Sequence, residues 1–349
     1  MRINTHIRMS YIIMFYNLEN LYDTSDDPNT EDEEFTPSGP KRWTTQKYQK
    51  KLENLAEVIS TVSNAYGGFP VVIGVSEVEN KVVMQDLADQ RRIRGARYKC
   101  IHFESNDVRG VDVGLFYRPD KFKLEGSCPL NLVLRSGREY IGRDILCAWG
   151  KIDEEMFCFY VCHLLSRRTG VKNSAGFRRA GTETIYNHAL TMREKFPDIK
   201  VVVMGDMNDS PSDESLSLLL RARKKISLVE QDDYFNPFWA LDDEGFGTSV
   251  HNHRWTLFDN IIVSPNLLET FPDTSGLKLV KMNQKHYCEI FKRNFMLQKG
   301  WPKRSYNGNS FQNGYSDHLP VLIKIDKIKS INNKNNNERN QGYQSLGER

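Results

Sequence analysis

The sequence predicts one mixed α/β domain with partly antiparallel sheets, on three observations. Apolar runs of strand length recur along the chain; some are separated by amphipathic helical segments, while others follow one another directly. No shift in composition divides residues 1–326. With 349 residues, 39% of them hydrophobic and 27% charged, the chain has ample apolar content for a large core.

The first apolar run, Tyr11–Tyr16, reads as a strand leading into Asn17. Residues 23–43 (DTSDDPNTEDEEFTPSGPKRW) are acidic and rich in Pro, Ser and Thr, and read as a surface loop. From Thr44 the period changes. Tyr48, Leu52, Leu55, Ile59 and Val62 recur at three- and four-residue steps, which predicts an amphipathic helix ending at Gly67-Gly68. Residues 71–75 form a short buried strand, followed by Ser76-Glu77 and a helix over about 80–92. Residues 112–118 are another strand, and Ile145–Trp149 and Phe157–Cys162 a neighbouring pair. A helix over about 175–195 precedes the strand Val201–Met204, and a second is expected from Ser212. Asn260–Val263 and Leu319–Ile325 complete the strands. From Lys327 apolar residues all but vanish, which predicts a disordered polar tail over 327–349.

Composition narrows the function. A net charge of +3 is too small to indicate nucleic acid by itself, although charge can be local. No apolar stretch approaches the roughly 18 residues that span a bilayer, and no apolar loop or basic amphipathic helix suits membrane docking. The N-terminus has too short an apolar core for a signal peptide. The six cysteines (100, 128, 147, 158, 162, 288) follow no framework spacing, and Cys158, Cys162 and His163 lack a second ligand pair. They read as core thiols, which favours a cytoplasmic protein without excluding export.

The polar residues carry the functional signal through their positions. One strand runs into Asn17, another into Ser76-Glu77, a third into His163, and a fourth into Gly205-Asp206-Met207-Asn208; Asp259 opens a fifth, and Ser316-Asp317-His318 precede the last. Each has a bland explanation. Asn17 suits a turn, Glu77 a helix N-terminus, His163 a hydrogen-bonded core, and Asp206 and Asn208 a turn capped by Ser212. Six such coincidences at comparable places are harder to accept than one convergent cluster. Oxygen donors without thiolates suit Mg2+ or Mn2+, and such a cation beside imidazoles fits phosphate-ester hydrolysis. No phosphate-binding glycine loop and no Gly-x-Ser-x-Gly turn points elsewhere.

The segments FYNLENLYD (15–23), VIGVSEVEN (72–80), RGVDVGLFYR (109–118), CHLLSRRTG (162–170), VVMGDMNDSP (202–211), LFDNIIVS (257–264) and YSDHLPV (315–321) resemble, in order, the motifs of the endonuclease/exonuclease/phosphatase superfamily. The resemblance covers about 11–326. It implies a four-layer α/β/β/α sandwich of two packed mixed, largely antiparallel sheets, with the site at one edge. By the same resemblance, Glu77 is a metal ligand, with Asn17 and Asp317 as further ligands. Asp206 positions or deprotonates the attacking water, and Asn208 holds the phosphate. His318, oriented by Asp259, contacts the scissile phosphate or serves as base, while His163 protonates the leaving oxygen.

The resemblance also bears on the substrate. The element FDNII differs from that of inositol phosphatases, and His163 stands where repair nucleases carry tyrosine. The stretch HLLSRRTGVKNSAGFRRAG is similar to a bacterial subgroup with a His-x-x-Ser-Arg-Arg-x-Gly motif. Arg167, Arg168 and Arg178 are candidates to hold substrate phosphates, against a solvated helix face that suits Arg179 as well; Arg143 is a further phosphate-facing candidate. The expectation is a monomeric phosphodiesterase acting most readily on nucleic acid. A phosphomonoesterase, a lipid phosphodiesterase and a catalytically silent binding member are the alternatives.

Overall fold

In the computed structural model, the described residues are 10–132, 134, 142–271 and 276–328. In chain order, Ser10–Leu21 (β1) leads to α1 (Thr45–Tyr66), β2 (Val72–Val78), α2 (Lys81–Ala88), β3 (Lys99–His102) and β4 (Asp112–Tyr117). Next come β5 (Phe122–Leu130), β6 (Ile145–Ile152), β7 (Glu155–His163), α3 (Val171–Lys195) and β8 (Lys200–Asp206). Two short strands, β9 (Ala222–Arg223) and β10 (Tyr234–Phe235), precede α4 (Trp239–Asp243) and the hairpin β11 (Ser249–His251) and β12 (Arg254–Thr256). Then follow β13 (Asp259–Val263), β14 (Gly276–Val280) and β15 (Cys288–Ile290). Two small hairpins, β16 (Leu297–Gln298) with β17 (Trp301–Pro302) and β18 (Tyr306–Asn307) with β19 (Ser310–Phe311), lead to β20 (Val321–Ile328).

These strands form two seven-stranded sheets. One runs β14-β20-β1-β2-β4-β3, with β15 also on β20; the other runs β5-β6-β7-β8-β13-β10-β9. Side chains alternate across each sheet, so each strand feeds two cores. Ile13 and Phe15 of β1 join Val202 and Met204 of β8 between the sheets. Met14 and Tyr16 face the outer layer with Leu52, Leu55, Ile59 and Val62 of α1. Val201 and Val203 face outward with Ile185, Ala189 and Met192 of α3. This is the four-layer α/β/β/α sandwich.

The helix expected from residue 44 is α1, closed by Gly67 in the left-handed region with its N–H on the Ser63 carbonyl. The helix expected from Ser212 is only the five-residue turn Ser215–Leu219, because the chain reverses at Arg221 in the left-handed region and enters β9. Strand β5 carries Gly126, Pro129 and an irregular register, which hides its alternation from the sequence. The acidic loop is anchored: Trp43 is fully buried and donates its indole N–H to the Tyr22 carbonyl. The last strand extends through Ile328, past the expected boundary at 326; residues 329–349 of the expected tail lie outside the described residues.

The register brings functional side chains into one row. In the parallel pair β7–β8, His163 is opposite Asp206; in the antiparallel pair β8–β13, Asp206 is opposite Asp259. Gly205 makes the approach of β8 to β7 possible. A Cβ there would lie 2.1 Å from the Cys162 carbonyl oxygen and 2.7 Å from its sulfur. Gly205→Ala is therefore expected to cost about 1–3 kcal/mol of stability by urea unfolding, and to lower activity by moving His163 relative to Asp206.

Candidate active site

The cluster is built at one end of both sheets. Asn17 sits in β1 opposite Ser76 of β2, and Glu77 follows with φ of 59°. A non-glycine residue in the left-handed region costs about 1 kcal/mol or more, and such strain persists where packing enforces it. Asn208, with φ of 48°, is a second case at the end of β8. Glu77 lies within β2 at the register irregularity between Ser76 and Val78, and Asn208 lies two residues past the end of β8.

Asp206 is the centre. Its Oδ2 is 3.2 Å from Asn17 Nδ2, 3.7 Å from His163 Nε2 and 3.8 Å from His318 Nε2, while Oδ1 accepts from the Asn208 backbone N–H. His318 Nδ1 lies 2.7 Å from Asp259 Oδ2, which also accepts from the Thr248 hydroxyl. Asp206, Asp259 and His318 each offer a donor atom within 4.8 Å of the others. Asn17 presents its amide nitrogen to Glu77 Oε1 at 3.5 Å as well, and its oxygen accepts from the Glu19 N–H. The side chain expected as a ligand thus has its oxygen engaged and its nitrogen facing two carboxylates.

Burial sets the protonation of the cluster. It pushes the Asp206 carboxyl up to about 7, with the Asp259 charge adding to the effect. His163 is driven well below the ordinary imidazole value by burial, with Arg143 and Arg109 contributing. For His318 burial acts in the same direction, but the charges of Asp259 and Asp206 override it and raise its pKa well above the usual value. One imidazole is therefore neutral and the other cationic across neutral pH. Asp317 is half-buried, and His318 and Arg304 hold its carboxyl below the usual range.

Arg143, expected to face a phosphate, lies near His163, whose pKa its charge helps to keep low. It is buried, and neither Nε nor one terminal nitrogen makes a hydrogen bond; Asp107 lies 3.8 Å from Nε. Arg167 and Arg178 are placed differently. Arg178 is 1% exposed and meets Asp209 Oδ1 at 2.7 Å while donating to the Leu165 and Val171 carbonyls. Arg167 donates to the Asn208 carbonyl and pairs with Asp209 and Asp213. Both guanidinium groups thus brace the loop after β7 against the turn after β8, and this corrects their expected place on a substrate surface. Asp209, read as a turn residue, is their common anchor. Arg178→Ala should cost about 3 kcal/mol in urea unfolding, because it leaves the buried Asp209 carboxylate with only one of its two guanidinium partners. Asn208 is part of the same bracing, since its Nδ2 donates to the Leu164 carbonyl at 2.9 Å.

Sequence reasoning missed several neighbours. Arg109 donates to the Asn20 side chain and lies 3.9 Å from Glu77. Arg304 pairs with Asp317 at 2.7 Å. Lys51 and Glu19 form a buried pair at 3.7 Å, and Glu19 also accepts from the Ser305 N–H. Arg109 stands inside a quoted motif, RGVDVG, and its charge there was the available signal. Arg304 lies in an aperiodic run and had none.

The fold and this edge cluster define the phosphoesterase type of four-layer sandwich. A sequence profile of the Endonuclease/Exonuclease/phosphatase family matches residues 12–327, and the chain belongs to that family. No curated protein matches the chain by sequence. Among solved structures it is similar to ANGEL2, a 2′,3′-cyclic phosphatase, with TM-score 0.57 and 14% identity over 91% of this chain and 95% of that one. It is also similar to D. rerio TDP2 complexed with single strand DNA product, with TM-score 0.50 and 16% identity over 90% and 98%. A third is an endonuclease/exonuclease/phosphatase family protein from Bacteroides thetaiotaomicron, with TM-score 0.52 and 13% identity over 92% and 99%. At these identities the likeness is one of fold. Family members are in general phosphoesterase hydrolases and typically use divalent metals. Among the described residues no helix is long and apolar enough to cross a membrane.

Proposed function

We propose that this protein is a divalent-metal-dependent phosphodiesterase, acting as a monomer, with nucleic acid as its foremost substrate class. The observation that carries the reading is Asp206 Oδ2 held 3.7 Å from His163 Nε2 and 3.8 Å from His318 Nε2. The donor set suits a hard cation, being made of carboxylate oxygens, and one of these, Asp259 Oδ1, is buried without a hydrogen-bond partner. Glu77 and Asp317 would hold Mg2+ or Mn2+, which supplies positive charge for the phosphate oxygens.

The chain's own residues divide the remaining work. Asp206, poised near neutrality, accepts the proton of the attacking water. The His318 imidazolium, fixed by Asp259, places a positive charge against the charge that builds on the phosphoryl oxygens. His163, kept neutral by burial, donates a hydrogen bond through an N–H to the leaving oxygen. Arg143 supplies guanidinium nitrogens that lack hydrogen-bond partners to a phosphate oxygen. Asn17 and Asn208 hold the geometry of Asp206, through its Oδ2 and Oδ1 respectively.

The nucleic-acid assignment draws on the D. rerio TDP2 complex with single strand DNA product. A second reading, a phosphatase acting on terminal or cyclic phosphates, draws on ANGEL2. Purified protein with Mg2+ or Mn2+ should be offered single-stranded DNA, plasmid DNA, RNA, 2′,3′-cyclic nucleotides, sphingomyelin and inositol phosphates. Internal or stepwise cleavage of a polynucleotide supports the first reading. Phosphate release from cyclic or terminal positions alone supports the second. Turnover of none, in protein shown to be folded and metal-loaded, contradicts both.

A further inference from the structure

A second cluster of metal-ligating side chains lies between β5, β6, β7 and α3, on the face of the second sheet that carries the outer core. Cys128 on β5 is directly opposite Cys147 on β6, and Cys147 is opposite Tyr160 on β7. Directly opposed residues share a face of the sheet, so both thiols and the phenol project toward α3. There Cys147 Sγ is 3.5 Å from Cys158 Sγ and 4.0 Å from Nδ1 of His188, which also lies 2.8 Å from the Tyr160 hydroxyl. One donor atom from each of Cys128, Cys147 and His188 lies within 4.8 Å of the others, and all three cysteines are free thiols.

These spacings suit a soft cation. A tetrahedral zinc site with metal–sulfur distances of about 2.3 Å has donor–donor edges of about 3.7 Å. The 4.0 Å separation of Cys147 Sγ from His188 Nδ1 is close to that value, and the donor atoms of all three residues lie within 4.8 Å of one another. We propose that Cys128, Cys147 and His188 bind Zn2+. On binding, the two thiols of Cys128 and Cys147 lose their protons to solvent and the cation takes up the thiolate pairs, so no oxidant or reductant is needed. The Tyr160 hydroxyl is in place to turn from His188 and donate to a thiolate.

Access and consequence follow from the topology. Cys128 and His188 are half-buried while Cys147 and Cys158 are buried, so the cluster opens to solvent at β5, the edge of its sheet. A bound cation would tie that edge strand to α3. It would also fix the start of β6, two residues beyond Arg143. The site is chemically separate from the cleft, which offers oxygen donors and suits hard cations.

The test uses the whole protein, reduced, with Mg2+ in excess to occupy oxygen-rich sites, titrated with Cd2+ and then with Zn2+. The expected result is one equivalent of Cd2+ bound with a thiolate-to-metal charge-transfer band, bleached by Zn2+. Cys128→Ser and His188→Gln, both at half-buried positions, should each weaken Cd2+ binding by about tenfold or more. Zn2+ should raise the melting temperature of the unmodified chain and not that of Cys128→Ser. Absence of the band, or a band of unchanged strength in both variants, overturns the proposal. Oxidation of the initially reduced protein to a Cys128–Cys147 disulfide in the presence of saturating Zn2+ also overturns it.

Discussion

Asp206→Asn is expected to lower kcat about a thousandfold, the loss that follows removal of a positioned general base. The substitution keeps the shape of the side chain, and Asn208 can still donate its backbone N–H to the remaining oxygen. What disappears is the group that takes the proton from water, together with the charge between His163 and His318. The wild-type acid limb should reflect the buried carboxyl, with activity rising between about pH 6 and 8 because that carboxyl is pushed up to about 7. In the asparagine variant this limb should flatten. A residual rate with the same limb would assign the titration to another group.

Asp259→Asn should lower kcat about a hundredfold at neutral pH and much less in mild acid. The sign follows from competing causes. Burial lowers the affinity of His318 for a proton, while Asp259, 2.7 Å away, and Asp206 raise it. With the nearer carboxylate gone, burial prevails and the imidazolium deprotonates within the working pH range. The loss matches that of removing one preorganised charge-stabilising donor, and acidification should restore part of it. Stability also falls, but with the opposite pH dependence. A histidine whose folded pKa is raised contributes stability fully below its unfolded value of about 6.5, and that contribution fades as pH passes the folded value. The variant should therefore be less stable by about 3 kcal/mol at neutral pH. Urea unfolding across pH would show whether the difference fades only in the alkaline range.

Much of this architecture was legible in the sequence, and particular residues show why. The helical period of Tyr48, Leu52, Leu55, Ile59 and Val62 is buried as expected, because one apolar stripe was facing one sheet. The stretch VVVMGDMN placed a strand, a close backbone approach at Gly205 and two polar side chains at its end, and the register put Asp206 between His163 and Asp259. What could not be read was partnership. Arg178 on a helix with charged neighbours looks solvent-facing, yet it is buried on Asp209, a contact across 31 residues that no local pattern encodes. Arg304 reaches Asp317 from an aperiodic segment, and the Lys51–Glu19 pair joins a helix to a strand end. Cys128 and Cys147 are 19 positions apart, and only the β5–β6 register makes them opposite.

The central claim is that one neutral and one cationic imidazole act together on a phosphodiester held beside Asp206. Single-turnover cleavage of an end-labelled single-stranded oligonucleotide with Mg2+ tests it most directly, comparing wild type with His163→Ala and His318→Ala of verified fold. The account predicts measurable cleavage by the wild type and a loss of about a hundredfold or more in each variant. Cleavage at the wild-type rate by both variants would contradict it.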